Sequence, residues 1–167
     1  MFDLKPLSKE SIPAALDKAM RYRLLNEPLQ AESICLDILE VDAENQQALV
    51  TLLLALTDQF ERRLKERFRK ARAILPRLQS EYARLYYNGI ICERRALAHF
   101  KQGGPGAGYI AYEWFRQAME RYEEAEKRSP PENDDAILRW NTCGRIVMRN
   151  PELRPADVEE IMPRMLE

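Results

Sequence analysis

The sequence predicts an all-α protein built from stacked helix pairs, and three observations carry that prediction. Apolar residues recur at spacings of three and four, the period of a helix face, and strand-like alternation is nearly absent. Arg, Glu, Leu and Ala are abundant and favour helix, whereas Gly occurs only 6 times, mostly within one loop. A short pattern of core-type residues that ends in a turn appears three times along the chain.

The pattern is fullest in residues 64–76. Leu64, Phe68 and Ala71 fall on one helix face, and Pro76 closes the helix, because the residue before a proline avoids helical geometry. The same spacing joins Ala31, Cys35, Ile38 and Ala43, and again Ala118, Tyr122, Ala125 and Pro130. The first two copies begin 33 residues apart, at Ala31 and Leu64; the third begins 54 residues later, at Ala118. This spacing resembles the second helix of the tetratricopeptide repeat (TPR), whose period is about 34 residues. The resemblance covers residues 12–150. It implies a TPR-like right-handed superhelix of about three helix-turn-helix repeats plus C-terminal capping helices, with first helices lining a concave groove.

Taken in order, residues 1–10 read as an irregular lead-in and residues 11–150 as the TPR-like repeat domain. Ser11 is placed to cap the first helix, and Pro13 suits its first turn. Ala15, Ala19 and Tyr22 fit first-helix positions, and residues 29–41 form the second helix. Asp42 and Asn45 mark the next turn. Residues 46–57 are apolar nearly all round, which predicts a helix buried at the centre of the stack. After a corner at Asp58 and Gln59 comes a basic helix, residues 61–78, in which eight Lys and Arg face only Glu61 and Glu66.

Residues 80–100 read as one long helix. Tyr82, Leu85, Tyr86 and Gly89 fit the TPR first-helix spacing in one register, and Leu85, Asn88, Gly89 and Cys92 fit it in another. A helical Gly costs about 1 kcal/mol relative to Ala, so Gly89 predicts a close helix crossing. The glycine-rich residues 103–108 lack the Lys-Ser/Thr end of a phosphate loop and the strand before it. They read as a connector that lengthens the third helix pair. Residues 109–129 form its second helix, with Trp114 placed to pack on the first. Trp140, Cys143, Gly144 and Val147 begin a further first helix. Residues 151–167 read as a short C-terminal helix starting near Pro155 and including Met162.

Composition narrows the functional classes. A net charge of -1 gives no overall pull toward nucleic acid or membrane. The longest apolar run, residues 48–56, is about half of the ~20 residues a membrane span needs. The first residues lack the basic start and apolar core of a signal peptide, so no membrane association and a cytoplasmic location are expected. Cys35, Cys92 and Cys143 are widely spaced, His99 is the only histidine, and neither metal nor cofactor is expected. No catalytic motif occurs, and Glu123, Glu124 and Glu126 read as a solvated helix face. An enzyme is therefore not expected.

The resemblance implies an adaptor or scaffold that holds a peptide or helix of a partner protein. Mapped onto this chain, the groove takes Leu16, Met20 and Arg23 from the first helix. It takes Tyr86 or Tyr87, Ile90 and Arg94 from the fifth, and Asn141, Arg145 and Arg149 from the seventh. Arginine forks bind carboxylates in two-pronged fashion, so an acidic segment with an apolar anchor is the expected partner. The chaperone-binding clamp of one TPR subgroup needs Lys and Asn where this chain has Leu16 and Met20, and that role is not expected. A second reading is a structural or regulatory subunit that docks through the basic helix, Arg62, Arg63 and Arg69 included, onto an acidic protein or nucleic acid. Nucleic acid is the weaker of those partners, because the apolar face of this helix is committed to the core.

Overall fold

Seven α-helices account for most of residues 1–157, the part of the chain that this computed structural model describes. They are α1 (Ile12–Leu24), α2 (Pro28–Val41), α3 (Gln46–Thr57), α4 (Phe60–Ile74), α5 (Glu81–Gln102), α6 (Ala107–Glu126) and α7 (Asp135–Arg149). Short 3-10 turns precede α1 (Lys9–Ser11) and follow α4 (Leu75–Arg77). No strand occurs among the described residues, so the fold is all-α. The terminal helix expected to run through Met162 lies outside the described residues after Asp157, and Pro155, Ala156 and Asp157 are not helical.

Most helix starts have a local cause. Pro13 and Pro28 sit in the first turns of α1 and α2, where a missing N–H costs nothing. The Asn45 side chain accepts from the Ala48 N–H at 2.9 Å and caps α3. Ser80 accepts from the Ala83 N–H at 3.2 Å and caps α5. Ser11 departs from expectation: it lies in the 3-10 turn, caps nothing, and shares a 2.6 Å hydroxyl contact with Ser8. The basic stretch 61–78 is also not one helix. Arg63 leaves the helical path (φ -143, ψ 53), and Pro76 sits inside the 3-10 turn that follows Ile74.

Consecutive helices pack on one another from α1 to α7, and α1 also touches α3, as α3 touches α5. Ile12 and Ala48, in the first turns of α1 and α3, share one core cluster. Arg23 near the end of α1 bonds Asp58 just past the end of α3. The two helices therefore run parallel. Tyr87 of α5 lies beside those first turns and Arg94 beside Asp58, so α5 runs parallel to them as well.

The recurring pattern marks the packing surface. Ala31, Cys35 and Ile38 are fully buried, as are Ala118, Tyr122 and Ala125. Ala71 is fully buried, while Leu64 and Phe68 pack half-buried at the core's edge. Small residues at these places let neighbouring helices close in without voids. The α5/α6 pair is long, with 22 and 20 residues, which accounts for the wide spacing of the third copy. Its connector turns through Gly103, Gly104 and Gly106, all at positive φ, where side chains are strained.

Gly89 sits where α5 crosses α6, and a Cβ there would meet the Tyr122 ring at 2.5 Å. Gly89→Ala is expected to destabilise by roughly 1–2 kcal/mol, because overpacking outweighs the gain in helix propensity. Gly144→Ala is the contrast: its nearest neighbour would be Trp140 at 3.6 Å, an ordinary contact. That change should stabilise by up to about 1 kcal/mol. Urea midpoints compare the two, and shifts of the same sign would contradict the close crossing.

Candidate functional site

The helical period carries α1 from Leu16 to Met20 and Arg23 along one face, and carries α3 from Val50 and Thr51 to Leu54 and Asp58. Between these faces and α5 opens a groove of about 670 Å³. Leu16, Met20, Val50, Thr51 and Tyr87 line it, with Ile12 and Asn45 toward one end. Met20 is 50% exposed although apolar, which leaves it free to meet a ligand. Burial pushes the Tyr87 phenol up to about 12, so its hydroxyl keeps its proton and can donate a hydrogen bond.

Charge gathers past the apolar end. Arg23 donates from Nε and Nη2 to the two Asp58 oxygens at 2.7 and 3.2 Å. Arg94 brings a second guanidinium to 3.9 Å from the same carboxylate. Two cations against one anion leave a positive surplus there. Asp58 reads in the sequence only as a turn residue. Its partner is 35 residues away in the chain, so no local pattern announces the pair.

The other expected groove residues divide. Ile90 is buried at 2% exposure in the core beside α6, and it is not open to a ligand; this corrects its assignment to the groove. Tyr86 stacks on Tyr82 at 5.6 Å and leans on Tyr122, so of the two tyrosines it is Tyr87 that lines the groove. Asn141, Arg145 and Arg149 lie on α7, which packs against α6, and none of them lines the groove. Arg145 and Arg149 are exposed and Asn141 is half-buried.

The basic stretch also divides. Arg67 is buried, unlike its basic neighbours, and its Nη1 donates to both Glu32 oxygens at 2.7 and 2.9 Å. Gln59 donates to the same carboxylate at 2.9 Å. Glu66 takes Lys70 at 2.9 Å and Arg63 at 4.0 Å. Arg62, Lys65, Arg69 and Arg72 are exposed and form no ion pair among the described residues, and the last three follow one another along one stripe after the break at Arg63.

The three thiols are free and buried. Burial raises Cys35 to about 12 and Cys92 to about 11, and pushes Cys143 up as well. The thiolate is the reactive form, so these cysteines are poor nucleophiles and ligands near neutral pH. Burial, then the charge of Arg95, lowers His99 below its ordinary 6.5. No helix among the described residues is long and apolar enough to cross a membrane. No protein-family model matches this chain, and neither a curated protein nor a solved structure does.

Asp58→Asn keeps the shape of the Arg23 contact and removes its charge. A charge-assisted pair in this half-buried setting is expected to contribute about 1–2 kcal/mol. The double change Arg145→Glu with Arg149→Glu, on the exposed face of α7, should move stability by under about 0.5 kcal/mol. Urea unfolding measures both, and equal losses would show that the Asp58 cluster is not held as described.

Proposed function

We propose that this protein is a TPR-like adaptor whose groove between α1, α3 and α5 holds an amphipathic segment of a partner protein. The observation that carries the reading is the row of Leu16, Met20, Val50 and Tyr87 lining an apolar groove along three parallel helices, with Met20 open to solvent. The burial of the repeat positions in α2 and α6 supports the TPR-like part of it. So does the register that sets Gly89 at the small place of the TPR first helix, since Tyr122 occupies the space a side chain would need. An apolar anchor of the segment enters beside Met20, and an acidic end lies toward Arg23 and Arg94. Such a mode resembles the seating of an amphipathic helix in a hydrophobic groove.

Arg62, Lys65, Arg69 and Arg72 favour a second contact surface, because four exposed cations without ion pairs attract an acidic partner. The two readings separate by mutation. A partner captured from source lysate is identified, and its binding segment is titrated against the purified chain. Met20→Glu should weaken that segment at least tenfold, about 1.4 kcal/mol, with the melting curve unchanged. Loss on Arg62→Glu with Arg69→Glu, and none on Met20→Glu, would move the partner to the basic surface.

A further inference from the structure

The groove leaves one cluster unused, where α4, α5 and α6 meet. Arg95 of α5 sits in the corner between two aromatic rings, with its guanidinium carbon 4.1 Å from the Phe68 centroid and 4.1 Å from that of Trp114. The rings are 5.6 Å apart and inclined at 75°. Arg72, one helical turn after Phe68, approaches the same ring at 5.6 Å. Arg121 lies two turns after Trp114 on α6 and, with Arg72 and Arg95, acts electrostatically on the buried thiol of Cys92. Arg72 and Arg95 therefore meet at the Phe68 ring, and Arg121 on the third helix shares with them the neighbourhood of the Cys92 thiol.

Arg72, Arg95 and Arg121 form no ion pair among the described residues, and the charged side chain that acts on Arg95 is Arg72. The Nε of Arg95 is buried without a hydrogen-bond partner. The Nε of Arg67 is likewise buried without a partner, but there the guanidinium is neutralised by Glu32 at 2.7 Å. Among the described residues, Arg95 is held by its contacts with the two rings. Two aromatic walls hold the guanidinium while using none of its five donors.

We propose that Arg72, Arg95 and Arg121 form a binding site for a phosphoryl group borne by a side chain of a partner protein. A phosphoryl monoester carries about -1.5 to -2 charge and three acceptor oxygens, which matches several guanidinium forks better than a single carboxylate does. All three residues are arginine, the side chain suited to two-pronged phosphate recognition. Bases of a nucleic acid would need an aromatic face to stack on. The Phe68 and Trp114 faces in this corner are covered by Arg95. The exposed stripe of Lys65 and Arg69 leads up to Arg72 and steers an anionic partner inward. The site is independent of the groove, so it stands or falls without the adaptor reading.

The test is a titration of the isotope-labelled chain with N-acetyl-O-phosphoserine methylamide, read on the arginine Nε resonances. A saturable shift of Arg95 is expected. The double variant Arg72→Gln with Arg121→Gln, which leaves the buried part of the corner intact, should weaken binding at least tenfold while its melting curve stays unchanged. No saturable shift, or one indifferent to the double variant, overturns the site. Equal binding of N-acetylaspartate methylamide overturns the phosphoryl assignment. Inorganic phosphate binding more tightly than the phosphoserine derivative overturns the side-chain source, and a single-stranded RNA oligomer binding tenfold tighter overturns the protein partner.

Discussion

Two buried charges hold the stack in register. Arg67 of α4 meets Glu32 of α2, and Glu93 of α5, only 3% exposed, accepts from the Tyr122 hydroxyl of α6 at 2.5 Å and from Arg139 of α7 at 3.2 Å. An ion left unpaired in such a place costs several kcal/mol. Helical faces of Leu and Ala can slide past one another at modest cost, but these charges meet their partners in one alignment only. Each charge ties a helix to the next but one, α2 to α4 and α5 to α7. We read them as setting which alignment forms, the role best attested for buried ion pairs, with apolar burial supplying the driving force. Desolvation, and the Glu93 carboxylate beside it, push the Tyr122 phenol well above its ordinary range, so it remains the donor that Glu93 requires.

The α5 helix is where these constraints become surfaces. One side carries Gly89 and Glu93, which draw in Tyr122 and α7. Another carries Tyr87 and Arg94 at helical spacing and forms the third wall of the groove. Arg95 lies one residue on from Arg94, about 100° round the helix, and reaches Phe68 of α4 and Trp114 of α6. The crossing at Gly89 thus fixes more than local packing. By setting how close α6 approaches, it sets where Trp114 stands against Arg95.

Helix existence, the small buried positions and the tight crossing at Gly89 were legible in the sequence, because each rests on helical period or on the size of one side chain. The rest depended on contacts far apart in the chain. Glu93 and Arg139 are 46 residues apart, and Arg67 and Glu32 are 35 apart. Read alone, all four look like solvated charges on helix faces. Arg67 stands in sequence among exposed cations yet is buried, and helical spacing assigns Ile90 to the groove although its face turns to α6. Projecting groove positions from one repeat to the next assumes equal repeats. The long α5/α6 pair breaks that assumption and sets Asn141, Arg145 and Arg149 apart from Met20 and Tyr87.

A chain of net charge -1 gives little reason to look for an anion site, yet charge acts locally. At physiological ionic strength, exposed charges more than about 8 Å apart are largely screened from one another. Six of the 27 acids, Glu27, Glu32, Asp37, Glu40, Asp42 and Glu44, cluster on and around α2, away from this corner in the chain. The charged side chain that acts on Arg95 is Arg72, and Arg121 acts with both of them on the Cys92 thiol. Desolvation at the edge of the core strengthens that field, since the rings replace water on the faces of the guanidinium. An anion entering the corner would find donors already oriented and part of the cost of ordering them already met in folding. This is the condition under which a few side chains discriminate a ligand that a diffuse surface charge could not.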